Sequence, residues 1–188
     1  MRVATGAALA GLMMLAALTG PLAQDGAGYD PFQDVEISDR IEDLPVPVRK
    51  KRDALIAAAR SGDIEALRPI IEAQDFPPHV TFGEASDPVD HLRQVSADGE
   101  GRELLAVLVN ILEAPYAVVG AGSDEPSYMW PYLAALVDIS NPTPEQLVDA
   151  YRLVSVEDFK GLQEFGGWID WRTTINADGV WEDFVAGD

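Results

Sequence analysis

Apolar residues recur at helical spacing along most of the chain. The clearest run is Leu104, Leu105, Leu108, Ile111 and Leu112, at i, i+1, i+4, i+7 and i+8. It predicts a helix over residues 102–113, with Val107 and Val109 widening the apolar face enough to make it central. Pro115 stops it. Leu55, Ile56 and Ala59 predict an earlier helix over 48–60. Ser61-Gly62-Asp63 ends that helix and starts another, since Gly62 suits the position past a helix end and Asp63 suits an N-cap. Ile64, Leu67, Ile70 and Ile71 continue the pattern, with Pro69 splitting it into two turns. Asp87-Pro88 opens a helix over 88–96. Thr143-Pro144-Glu145-Gln146 and Ser155-Val156-Glu157-Asp158 are capping boxes, the first helix reaching Val154 and the second ending at Gly166-Gly167.

The period changes at the C-terminus. Residues 168–175 are rich in aromatic and β-branched side chains, Asn176-Ala177-Asp178-Gly179 is turn chemistry, and residues 180–185 return, so a β-hairpin is expected. A four-residue loop sets Ile175 opposite Val180, Arg172 opposite Asp183 as an ion pair, and Trp171 opposite Phe184 as an aromatic pair. It also puts Trp171 on one face and Trp168 with Trp181 on the other. Residues 79–82 and 116–120 suit short extended segments. The expected fold is α+β: a mostly helical single domain with a C-terminal antiparallel β-hairpin, covering 47–188.

The N-terminus differs in kind. Arg2 precedes an uncharged run from Val3 to Leu18, Gly20-Pro21 breaks it, and Leu22-Ala23-Gln24 offers a small residue for cleavage, so 1–24 reads as a secretory signal peptide. The same run is just long enough to span a bilayer. It ends in Gly, Pro and acid rather than a basic stop signal, so cleavage is expected, with no membrane attachment afterwards. Residues 25–46 read as an acidic lead-in or linker. The implied address is the periplasm or outside the cell.

Of the 188 residues, 32 are acidic and 13 basic, a net charge of −19. Such a chain repels nucleic acid and anionic lipid. It has no cysteine, hence no disulfide and no thiol nucleophile. The one basic cluster, Arg49-Lys50-Lys51-Arg52, sits at a helix start, where Glu36, Asp39, Glu42 and Asp43 of the lead-in are expected to neutralise it. No motif specifies a cofactor. The two histidines, His79 and His91, flank Glu84, Asp87 and Asp90, but their spacing is not that of a metal-binding helix, and Asp87 with His91 reads as a helix-face pair. Asn176-x-Asp178-Gly179 fails as a calcium loop because Thr174 and Val185 fall at its first and twelfth positions. Gly120-Ala121-Gly122 fails as a dinucleotide loop because Glu125 stands where a third glycine belongs.

The aromatics are the best binding candidates. Tyr128, Trp130 and Tyr132 are spaced two apart and in an extended segment share one face, fit for sugars or a proline-rich peptide, with core packing as the competing role. Trp168 and Trp181 join them on the hairpin. Glu157, Asp158, Glu164 and Asp170, near Trp168 and Trp171, are where a two-carboxylate hydrolase would be sought.

Tyr128-Met129-Trp130-Pro131-Tyr132-Leu133-Ala134, then Thr143-Pro144-Glu145, and the ending Asp178-Gly179-Val180-Trp181-Glu182-Asp183-Phe184-Val185-Ala186-Gly187-Asp188 resemble a family of uncharacterised exported proteins from Gram-negative bacteria. The resemblance implies a periplasmic or envelope address and carries no activity, so it assigns no catalytic residue. The function expected is a non-catalytic binding or interaction module of the cell envelope, its partner an unknown protein or envelope ligand. The alternatives are a carboxylate-dependent hydrolase of envelope glycan and a structural protein stabilised by divalent cations.

Overall fold

Five short strands drawn from distant parts of the chain pair into one antiparallel sheet: β1 (Val35–Ser38), β2 (Tyr116–Val119), β3 (Ser127–Trp130), β4 (Arg172–Asn176) and β5 (Trp181–Val185), in that spatial order. The computed structural model describes Phe32 and residues 34–187. The segment 1–24, read as a secretory signal, lies outside the described residues. None of the described helices is long and apolar enough to cross a membrane.

Among the described residues, six α-helices accompany the sheet: α1 (Val46–Arg60), α2 (Arg68–Glu72), α3 (Pro88–Val95), α4 (Arg102–Leu112), α5 (Pro144–Tyr151) and α6 (Val156–Phe165). Their ends follow local chemistry. Asp87 caps α3 by accepting the Asp90 N–H, Thr143 and Gln146 close a reciprocal capping box on α5, and Ser155 caps α6 through the Asp158 N–H. Gly166 ends α6 in the left-handed conformation. Pro69 lies in the first turn of α2, and a 3-10 turn over Ile64–Leu67 precedes it, so the proline does split that stretch in two.

Alternation along the strands feeds two cores. Tyr116, Tyr128, Trp130, Ile175, Trp181 and Phe184 pack on one face against Leu55, Leu67, Leu92 and Leu108 of the α1–α4 layer. Ala117 and Val119 face the other way, onto Tyr132, Leu133, Ile139, Phe159, Leu162 and Trp168 around α5 and α6. Trp130 and Trp181 have no solvent exposure. At about 25 cal/mol per Å² over roughly 150–250 Å², burying each contributes on the order of 4–6 kcal/mol.

The chain is therefore not a helical domain with a terminal hairpin. The hairpin exists, but it is the far half of a central sheet that the sequence reading missed. Strands β1, β2 and β3 are four residues each, so each offers at most two positions per face and little periodicity to detect. Part of the acidic lead-in, 35–38, is the strand β1, paired along its length with β2. Its Glu36, with Asp39 and Arg40 beyond, marks a sheet edge blunted by charge rather than a linker.

The hairpin register also differs from the one expected. Arg172 pairs with Val185, Thr173 with Phe184 and Thr174 with Asp183, and a bulge then sets Ile175 opposite Trp181. Asn176 causes the shift. Its Oδ1 accepts the N–H groups of Asp178 and Val180, and its backbone N–H donates to the Val180 carbonyl, which tightens the turn. Trp171 and Phe184 still touch, with ring centroids 4.7 Å apart, but as a diagonal rather than a direct cross-strand pair. Arg172 and Asp183 become a diagonal in the same way.

Candidate functional site

Two prolines prepare the site. Pro77 and Pro78 hold the preceding chain extended, and His79, the first residue after them with an N–H, docks on the free edge of β5. It donates to the Glu182 carbonyl at 2.8 Å and accepts from the Phe184 N–H at 2.8 Å, a parallel bridge opposite Asp183. The Thr81 hydroxyl accepts the Gly83 N–H at 3.1 Å and folds the segment back.

Between this segment and the hairpin lies a hollow of about 430 Å³, lined by His79, Thr81, Phe82, Gly83, Arg172, Asp183 and Val185. The volume is within the roughly 300–1,000 Å³ of small-molecule sites. Arg172, Asp183 and Val185 share the face of β4–β5 that α5 and α6 leave to the 79–83 segment. A neighbouring hollow of about 590 Å³ lies under residues 76–88 and shares His79, Thr81 and Gly83.

The charged groups of the first hollow are unusual. Asp183 Oδ1 and the hydroxyl of Thr174, its cross-strand neighbour, are both buried, and neither has a partner in ordinary hydrogen-bond geometry beyond this pair. Burial pushes the Asp183 carboxyl up to about 6; hydrogen bonding from Thr174 and the positive charge of Arg172 oppose the shift, and Glu182 adds to it. Arg172 does not reach across to Asp183. Its Nη1 donates to the Gly187 carbonyl at 2.9 Å, and its guanidinium carbon lies 5.5 Å from the Phe82 ring centroid. Among the described residues neither Arg172 nor Asp183 enters an ion pair. Below the carboxylate, Thr173 stiffens the floor: its hydroxyl donates to the Asp183 carbonyl and accepts from Trp181 Nε1 at 2.8 Å.

The five aromatic candidates lie elsewhere. Tyr128, Trp130, Tyr132, Trp168 and Trp181 are all buried. Tyr128 and Trp130 do share a face, as the spacing of two requires, but it is the inner face, where both stack near Tyr116. Tyr132 falls beyond β3 in a 3-10 turn, in the opposite core, with its hydroxyl on Asp149. Trp168 lies before β4 in that same opposite core, and Trp181 with Trp171 packs in the first. This reverses the expected pairing of Trp168 with Trp181, because Trp168 is not part of the strand.

The other acidic candidates are spread out. Glu157, Asp158 and Glu164 are exposed on α6. Asp170 is half-buried; burial raises its carboxyl above the ordinary range and Asp158 adds to the shift, while the Trp171 N–H opposes it. It borders a recess of about 40 Å³ beside Trp168 and Trp171, too small for a sugar ring. Asp124, Glu125, Asp178 and Glu182 line a separate hollow of about 320 Å³. Between the histidines, Asp87 is taken up by the α3 cap and Arg68, and Asp90 by Arg93. Among the described residues no group of three or more His, Asp or Glu could hold a metal ion.

Among the described residues, the acids of the lead-in form no ion pair with the basic cluster. Glu42 and Asp43 pair with Arg40, whereas Arg52 is buried and donates from Nε to the Leu112 carbonyl at 2.9 Å.

Reading the sequence for function passed over Phe82 and treated Arg172 and Asp183 as a structural ion pair. The available signal was Pro77-Pro78-His79, which marks an extended segment able to join a sheet edge. No family model, curated protein or solved structure matches the chain.

Proposed function

We propose that the protein is a non-catalytic binding module of the bacterial cell envelope that takes its ligand in the hollow between residues 79–83 and β4–β5. One observation carries this reading: Arg172 and Asp183 line that hollow as opposite charges that form no ion pair with each other, the guanidinium being held by the Gly187 carbonyl and the Phe82 ring. Opposite charges held apart in a cavity wall are the arrangement of a site that a ligand completes. The envelope address rests on the sequence, through the signal-like segment 1–24 and the resemblance to exported proteins. Glycan hydrolysis is the less favoured reading. It needs two carboxylates flanking a sugar, whereas among the described residues Asp183 is the only carboxylate lining this hollow and Asp170 borders a recess of about 40 Å³.

The test is a ligand panel of amino acids, muropeptides and simple sugars, read by amide chemical shifts of the ¹⁵N-labelled protein. A ligand of this site perturbs His79 to Gly83, Arg172 and Asp183 to Val185 together, and Val185→Trp, which fills the hollow, abolishes the response. Perturbations confined to other surfaces, such as the acidic hollow around Asp124 and Asp178, would refute the assignment.

A further inference from the structure

The geometry points to a zwitterion as the ligand: a free α-amino acid with an apolar side chain, its ammonium on Asp183 and its carboxylate on Arg172. This rests on the hollow being the binding site. Arg172 and Asp183 carry opposite charges, line the same hollow, and lie one diagonal apart on the same face of the hairpin. Diagonal neighbours are roughly 7–8 Å apart, far enough for the backbone of an amino acid to enter between their side chains.

Two opposite charges this close would ordinarily pair. Here the Gly187 carbonyl and the Phe82 ring hold the guanidinium in place, so the separation is built in before any ligand arrives. A simple cation would answer Asp183 and leave Arg172 unmatched. A simple anion would answer Arg172, sharpen the repulsion at Asp183, and meet a chain of net charge −19. A neutral sugar would use neither charge fully. A zwitterion matches both and brings no net charge. Phe82 and Val185 supply the apolar wall for its side chain.

The experiment titrates the full chain calorimetrically with leucine, leucinamide, N-acetyl-leucine and N-acetyl-leucinamide, and repeats the titrations with glycine, valine and phenylalanine. Leucine is expected to bind at least tenfold more tightly than each blocked analogue. Arg172→Gln should remove the preference for leucine over leucinamide, and Asp183→Asn the preference over N-acetyl-leucine, both with wild-type amide spectra away from the hollow. Val185→Trp, which leaves both charges in place, should abolish binding. Equal binding of leucine and its blocked forms, with shifts at 79–83 and 172, overturns the zwitterion while leaving the hollow as a site. Absence of any amino-acid response overturns it too, and the sugar and muropeptide arms then decide the parent reading alone.

Discussion

Gln74 caps the backbone of Trp181 with its side-chain amide. Its Oε1 accepts the Trp181 N–H at 3.2 Å, and its Nε2 donates to the Trp181 carbonyl at 2.9 Å. The amide thus stands in for one residue of a missing sixth strand, and His79 does the same two residues further along β5. Lys51 adds a third bond, from Nζ to the same Oε1 at 2.9 Å. The far edge of the sheet is closed by one side chain and one short segment rather than by a paired strand.

Gln74→Ala removes both bonds to Trp181 at once. Leaving part-buried backbone groups unpaired costs about 1–3 kcal/mol, so the urea midpoint should fall by a corresponding amount with an unchanged slope. Hydrogen exchange supplies the local reading: the Trp181 amide should lose protection while those in the middle of α4 keep theirs. Equal loss of protection in both would mean that the edge opens only with global unfolding.

Asp183 gives the fold a pH dependence of known sign. Its folded carboxyl titrates at about 6, mainly because it is buried, whereas an unfolded aspartate titrates near 3.9. The folded state therefore binds the proton more tightly. This contribution is fully present below about pH 4, is lost as pH rises to about 6, and stays lost above. The gap between the two values corresponds to about 3 kcal/mol. Asp170, also raised, adds in the same direction, while Glu65, Asp87 and Asp98, all lowered, act in the opposite one. The diagnostic is thus a difference between proteins. Asp183→Asn should match wild type near pH 4 and be the more stable protein at pH 7–8. Parallel stability curves for the two would show that the carboxyl is not raised.

The same residues explain what the sequence could reveal. Helix ends were legible at Asp63, Asp87, Thr143, Ser155 and Gly166, because capping depends on neighbours within four residues. The apolar face of α4 was legible because it repeats over three turns. The sheet was not, because β1 and β2 lie far apart in sequence and only pairing makes Val35 and Val119 neighbours. The hollow depended on more still. Arg172 and Asp183 were visible as opposite charges on a hairpin, but the turn and the bulge beside Ile175 together decide whether they face each other or lie diagonally apart. Sequence spacing alone reads that as an ion pair, because the turn at Asn176 shifts the register by one residue and the bulge by one more.

Gly179 separates two costs that glycines usually confound. It has φ of +82° in the hairpin turn, and a Cβ there would lie 2.8 Å from the Pro47 carbonyl oxygen at the start of α1. Gly99 has φ of +68°, and a Cβ there would meet nothing within 4 Å. Gly99→Ala should cost only the left-handed penalty of about 1–2 kcal/mol. Gly179→Ala should cost distinctly more, because a backbone carbonyl cannot swing aside as a side chain can. Thermal or urea unfolding of the pair checks this, and equal losses would mean that the hairpin turn is not held against α1.

Arg52 tests the fate of the basic cluster. Its guanidinium is buried, with Nε on the Leu112 carbonyl and Nη1 on Asp53 at 3.0 Å. The Leu112 carbonyl is one of those that the end of α4 leaves without an intrahelical partner, so a side chain from α1 closes the C-terminus of the central helix. Arg52→Met keeps much of the stem and removes the donor, and should cost about 1.5–3 kcal/mol, the range for a hydrogen bond to a charged group. Lys50, two residues away, is exposed. Lys50→Gln should therefore stay within about 0.5 kcal/mol of wild type. A large effect at Lys50 with none at Arg52 would move the role of the cluster from the core to the surface. The expected order, measured by chemical unfolding of both variants, makes the cluster an internal clamp between α1 and α4 rather than a docking patch.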